Sequence, residues 1–169
     1  GKSFWEWSHL TGNWGGARTD LEQWGLTLAG SYTMDWTNVV SGGRRQESSY
    51  RHLFDVNATF DLEKLVGLTG GQAYVDFYSV SGDGASEDAG DFQGVSNIES
   101  GNVDQVAELW YEQTLFDGLL RLKFGKVDAN TEFAFVDAAS ELINSSAGFS
   151  PTVFVMPTYP DPATSVNAY

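Results

Sequence analysis

The stretch Leu10–Asp35, LTGNWGGARTDLEQWGLTLAGSYTMD, decides the fold. It joins a Gly/Trp-rich lead-in, one short helix and a long alternating strand. From Leu26 onward parity sorts the residues. Leu26, Leu28, Gly30, Tyr32, Met34 and Trp36 point one way; Thr27, Ala29, Ser31, Thr33, Asp35 and Thr37 point the other. Side chains of a strand alternate faces, so the segment has an apolar face and a wet face. The pattern fits a soluble half-buried sheet, and it also fits a barrel wall with lipid outside and water inside.

Working outward, TDLEQW (Thr19–Trp24) predicts a short helix, capped by Thr19 or Asp20 with Glu22 or Gln23 reaching back, and closed by Gly25. The first strand then covers about 25–38 and ends in the loop SGGRRQESS. A second strand spans 50–62, with Phe54, Val56, Ala58 and Phe60 opposing Asp55, Asn57, Thr59 and Asp61. The compact connection EKLVGLTGG leads to a third strand at 72–80, where Ala73, Val75 and Phe77 oppose Tyr74, Asp76 and Tyr78.

After a long polar loop, about 81–104, a fourth strand at 105–116 sets Ala107, Leu109, Tyr111 and Leu115 against Glu108, Trp110, Glu112 and Thr114. Asp117-Gly118 signals a hairpin turn into a fifth strand at 119–127, with Leu120, Leu122 and Phe124 against Arg121 and Lys123. A two-residue turn there makes residues whose numbers sum to 235 face each other. Glu112 then meets Lys123 and Thr114 meets Arg121 on the wet face, while Tyr111 meets Phe124 and Leu115 meets Leu120 on the apolar face. Charged and aromatic cross-strand pairs each contribute about 0.2–1 kcal/mol, so both faces favour one register.

From Asp128 the alternation fades. The tail holds DAASELINSS, a candidate short helix, and all four prolines. The chain thus divides into a lead-in with helix (1–24), five antiparallel strands with two long loops (25–127) and a terminal long loop (128–169). Connections alternate long and short, the asymmetry of transmembrane barrels, which favours the barrel wall over the sandwich.

Composition narrows the function classes. The 169 residues carry a net charge of −14 and no cysteine, which removes a nucleic-acid footprint, disulfides and thiolate metal sites. Aromatics at 14% and 19 glycines suit all-β structure rather than a disordered acidic chain. No apolar run reaches the length of a membrane-spanning helix, and Gly1-Lys2-Ser3 leads straight into FWEW, so the chain reads as mature or trimmed. Catalysis has little support: His9 and His52 form no HExxH spacing, and no GxSxG elbow or phosphate loop occurs. Glu108 and Glu112 on a strand lie about 13 Å apart, beyond the roughly 5–9.5 Å of a glycosidase pair. The loop DGASEDAGD offers Asp83, Glu87, Asp88 and Asp91 to calcium but lacks EF-hand spacing, and a solvated loop is the favoured reading.

With the segments placed, five of them carry a resemblance in order: LTGNWGGARTDLEQWGLTLAGSYTMD, VVSGGRR, DVNATFDLEKLVGLTGG, FQGVSNIES and ELWYEQTLFDGLLRLKFGKVDANTEF. Together they cover most of residues 10–135, and the chain resembles the N-terminal part of the carbohydrate-selective porin family, the OprB-like outer-membrane porins. The resemblance implies a sixteen-stranded barrel in the bacterial outer membrane that passes sugars by diffusion without a cofactor. It also implies a short N-terminal helix and long loops that fold inward to narrow the pore, the loop after the fifth strand being the candidate. Family members are far longer than this chain, and about five strands cannot close a wall, since lipid tolerates no unpaired sheet edge.

On that reading the pore-lining candidates are Asp35, Asp55, Asn57, Asp76, Tyr78, Glu108, Trp110, Glu112, Arg121 and Lys123. Trp110 and Tyr78 are candidate sugar platforms, and Arg121 and Lys123 beside Glu108 and Glu112 form a mixed-charge patch. Arg44 and Arg45 read as solvated or lipopolysaccharide-facing in preference to pore-lining. Expected partners are sugars as permeants, outer-membrane lipid and lipopolysaccharide, in a monomer or homotrimer. The alternative is a soluble acidic β-sandwich that binds glycans with the same Trp and Asp residues.

Overall fold

The computed structural model describes residues 7–92, 94–133, 135–139, 142–144 and 156–169. Among them a meander of six antiparallel strands forms one sheet in sequence order: β1 Leu26–Asn38, β2 Ser48–Asp61, β3 Gly71–Gly82, β4 Val103–Leu115, β5 Leu120–Val127 and β6 Ala163–Ala168. The terminal region, expected as loop throughout, thus contributes a sixth strand that pairs with β5, Phe124 opposite Val166.

Short helices punctuate the meander. Helix α1, Ala17–Trp24, precedes β1, and Gly25 closes it as expected, with φ 104° and its amide donating to Glu22 O at 3.2 Å. Its start differs from the expectation. The helix begins two residues before Thr19 without a side-chain cap, because Asn13 Oδ1 accepts the Thr19 amide at 3.2 Å from outside the helix. Helix α2, Leu62–Val66, is capped by Asp61, whose carboxylate accepts the amides of Glu63 and Lys64, and Gly67 ends it. Of the helix expected in DAASELINSS, Asp137–Ala139 forms a 3-10 turn; residues 140–141 and 145–146 lie outside the described ones.

The β4–β5 register is the expected one: Glu112 faces Lys123, Thr114 faces Arg121, Tyr111 faces Phe124 and Leu115 faces Leu120. Asp117 (φ 56°) and Gly118 (φ 92°) take the positive φ values of a primed hairpin turn, closed by Leu119 N–H donating to Phe116 O at 3.2 Å. In β4 the ladder slips between Asp76 and Phe77 of β3, which corrects the face of one residue. Val106, not Ala107, joins the apolar face opposite Phe77, and Ala107 is the buried extra residue of a bulge. Lys126 serves the disrupted ladder by donating to Val106 O at 2.7 Å and Gln105 Oε1 at 2.8 Å.

Burial is inverted relative to a soluble sheet. On the wet face Lys123 is 5% exposed and Glu108 9%, whereas on the apolar face Trp36 is 68% and Leu109 59% exposed. Tyr32, Phe54, Val56, Phe77, Val106, Phe124 and Val166 share that exposed face. The small buried core, Tyr78, Val80 and Ala107 packed by Leu53, Val103 and Tyr159, lies on the wet side, between wall and loops. A continuous apolar patch across six strands marks an interaction surface, because soluble monomers rarely leave one so large in water. No helix among the described residues is long and apolar enough to cross a membrane, which leaves crossing by strands open.

Candidate functional site

The wet face is where the polar side chains converge. Parity places all ten candidates there: Asp35 on β1, Asp55 and Asn57 on β2, Asp76 and Tyr78 on β3, Glu108, Trp110 and Glu112 on β4, Arg121 and Lys123 on β5. The ladder sets them in rows. Asn57 faces Asp76, which faces Glu108, and Asp55 faces Tyr78 in the next row out. Among the ten, carboxylates therefore gather over β2–β4 and the two cations on β5.

Two segments lie over this face. The first is the loop between β3 and β4, which contains the short helix α3, Ser86–Ala89. The Glu99 carboxylate gathers this loop by accepting Ser86 N–H at 2.8 Å, Ser86 O–H at 2.6 Å and Val95 N–H at 3.2 Å. Ser96 then donates its hydroxyl to the Asp35 carboxylate, two strands away on β1.

The second segment follows β5. Asp128 donates its amide to Glu108 Oε2 at 2.9 Å, and its own carboxylate accepts the amides of Asn130 at 2.8 Å and Tyr159 at 3.0 Å. In helix α4, Asn130–Phe133, Glu132 accepts from Lys123 Nζ at 2.5 Å and Arg121 Nη2 at 2.7 Å. Glu112 approaches the same two cations at 3.3 and 3.5 Å, so two carboxylates and two cations share one network. Burial pushes the Glu132 carboxyl up, but the hydrogen bonds from Lys123 and Arg121 together prevail and hold it below its ordinary range. Further out, Pro160 O accepts the Tyr78 hydroxyl and the Gln105 amide, and Tyr159 donates its hydroxyl to Ile98 O at 2.8 Å. The two segments also hold each other: Asn97 donates to Leu142 O and Ile143 O, both at 2.8 Å.

Trp110 is engaged from both neighbouring strands. Tyr74 of β3 stacks on it with ring centroids 5.0 Å apart, and Lys123 of β5 brings its ammonium to 4.0 Å from the ring centre. Gly125, opposite Trp110, lets β5 come close to the β4 backbone at this point. At its φ of +136° an added Cβ would stand 2.2 Å from Leu109 O and 2.6 Å from Trp110 Cα.

Arg44 and Arg45 stand apart from the ten, in the loop after β1. Arg45 pairs with Asp88 at 2.7 Å, and the amides of both arginines donate to Asp88 O. The acidic loop is thus less solvated than expected. Asp88 is buried as the latch between two long loops, although Asp83, Glu87 and Asp91 are exposed.

Sequence reading passed over four residues that matter here. Arg51 shares the wet parity of β2 and was legible from it. It is 6% exposed, donates Nη2 to Gly82 O at 2.6 Å, and among the described residues has no hydrogen-bond partner for Nε and Nη1. Ser96, Glu132 and Tyr159 act from loops, where parity says nothing.

A polar face buried under loops, behind an apolar face left open, is the geometry of a membrane wall facing an aqueous interior. The model of the carbohydrate-selective porin, OprB family, matches residues 45–168. The chain belongs to that family. It is 27% identical over 133 residues to Porin B of Pseudomonas aeruginosa, covering 73% of this chain and 29% of that protein. A structure of Pseudomonas putida OprB at high pH superposes with a TM-score of 0.87 at 23% identity, over 99% of this chain and 43% of that one. A low-pH structure of the same protein gives 0.58 at 24% identity, over 75% of this chain and 40% of that one. The chain therefore spans less than half the length of these relatives.

Proposed function

We propose that the chain is the N-terminal portion of an outer-membrane porin through which sugars diffuse passively. The observation that carries this reading is the inverted burial of the sheet: cations and carboxylates covered on one face, Trp36 and Leu109 bare on the other. The apolar band also slants. Its outermost apolar residues are Trp36 and Tyr50 on the first two strands, Phe77 and Val106 on the next two, Phe124 and Val166 on the last two. Along the register the band falls from the row of Trp36 to the row of Leu26, a slant that strands tilted in a membrane require.

On this reading the ten wet-face candidates line the pore, and the described parts of the β3–β4 loop and of the segment after β5 narrow it. Hydrogen-bonding side chains replace part of a sugar's hydration, and the transverse field between the acidic rows and Arg121–Lys123 orients dipolar permeants. The bare apolar face meets lipid, and the loop carrying Arg44 and Arg45 faces the lipopolysaccharide side. A glycan-binding sandwich would need a second sheet over that face, and the described residues form one sheet.

The test is flux. Liposomes bearing the complete protein should swell in isotonic monosaccharide faster than protein-free liposomes, and the protein should need detergent to stay in solution. A protein that remains soluble without detergent and leaves flux unchanged would refute the porin reading.

A further inference from the structure

The outer edge of β1 carries a side chain where a strand would otherwise pair. Two bonds fix the phase of the β1–β2 ladder: Asp61 N–H to Gly25 O at 2.7 Å and Val39 N–H to Glu47 O at 3.0 Å. Hydrogen-bonded pairs alternate along an antiparallel ladder, so the odd-numbered residues of β1 turn their amides and carbonyls towards β2. Leu26, Leu28, Gly30, Tyr32, Met34 and Trp36 turn theirs outward, and β1 has no second neighbour among the described residues. In lipid, unpaired backbone groups are costly and need a partner.

One of them already has one. Arg18 of α1 donates Nη1 to Leu28 O at 2.9 Å, on that outer edge. Its guanidinium lies over the Trp14 ring at 4.4 Å and reaches Thr11 Oγ1 at 3.5 Å. Arg18 Nε is buried and has no partner among the described residues. Gly25 brings the helix back along the strand. Its backbone is left-handed, and an added Cβ would stand 2.8 Å from Asp61 O.

We infer that Arg18 is a register stop for barrel closure: the strand that completes the barrel against β1 pairs from Gly30 outward and ends at the guanidinium on Leu28 O. The partner is a β-strand from outside this chain, which covers 43% of the P. putida OprB chain it matches. The inference rests on the barrel reading.

Residue-resolved amide hydrogen exchange on the complete protein in detergent micelles tests it. Thr27, Ala29 and Ser31, bonded to β2, serve as the slow internal reference. Gly30, Tyr32 and Met34 should exchange as slowly as these, with Leu28 about 100-fold or more faster. Arg18→Gln should extend slow exchange to Leu28. A Leu28 amide as protected as that of Gly30 in the unaltered protein would overturn the stop, and that result needs no variant to fold. Fast exchange at Gly30, Tyr32 and Met34 alike would overturn the barrel reading itself, and the inference with it.

Discussion

Replacing Glu132 with Gln removes the charge that ties helix α4 to the wall. Glu132 and Lys123 have side chains 15% and 6% exposed, so their pairing at 2.5 Å is sheltered from solvent. A hydrogen bond to a charged group contributes about 1.5–3 kcal/mol net. Two reductions apply. Lys123 retains Glu112 at 3.3 Å, and Arg121, at 36% exposed, is screened so that its share is small. Gln also keeps one acceptor oxygen. The expected loss is about 1–2 kcal/mol, enough to raise the ratio of released to docked segment by roughly 5–30-fold. Single-channel recording on the complete protein in planar bilayers should then show a larger mean conductance and more frequent steps than in the unaltered protein. Identical traces, together with an unchanged thermal transition, would refute the assignment of Glu132 as the clasp.

The same clasp predicts a pH dependence. The folded Glu132 carboxyl titrates below its ordinary value of 4.5, so the stabilisation is complete above that value and is lost as pH falls through the lower folded one. Conductance should step up on acidification in the unaltered protein, and Glu132→Gln should lack that step. Leu109→Arg, on the exposed apolar face, should cost about 2–4 kcal/mol if that face meets lipid near mid-plane; denaturant unfolding from vesicles measures this, and a near-neutral result speaks against the face assignment. Gly125→Ala forces a Cβ to 2.2 Å from Leu109 O at φ +136° and should destabilise by at least about 2 kcal/mol, read as a lower temperature for loss of the compact band on gels.

Five strands and their faces were legible because each keeps a strong contrast between successive residues, as in Phe54-Asp55-Val56-Asn57. The β4–β5 register was legible because Asp117-Gly118 fixes the turn and both faces agree with it. β6 escaped because Ala163-Thr164-Ser165-Val166-Asn167-Ala168 is short and its side chains are small, so alternation barely separates its faces. The bulge escaped because Val106 and Ala107 are both apolar, and either could occupy the outer face. Helix α1 starts before Thr19 because Asn13 accepts the Thr19 amide, the donor that Glu22 was expected to reach back to. At the candidate site, parity assembled the ten wall residues, whereas Glu132, Ser96 and Tyr159 reach the wall through tertiary folding of loops that no period describes. Asp88 was hidden for the same reason: its partner, Arg45, lies two strands earlier.

Whether the apolar face of this sheet meets lipid and the polar face water is read directly by scanning β2 across both faces. The chain has no cysteine, so single cysteines can be introduced cleanly at 54, 55, 56, 57 and 58 of the complete protein and spin-labelled in lipid vesicles. Oxygen, concentrated in the bilayer, should collide most with labels at Phe54, Val56 and Ala58, with minima at Asp55 and Asn57. Maxima at Asp55 and Asn57, or no alternation along the segment, would contradict it.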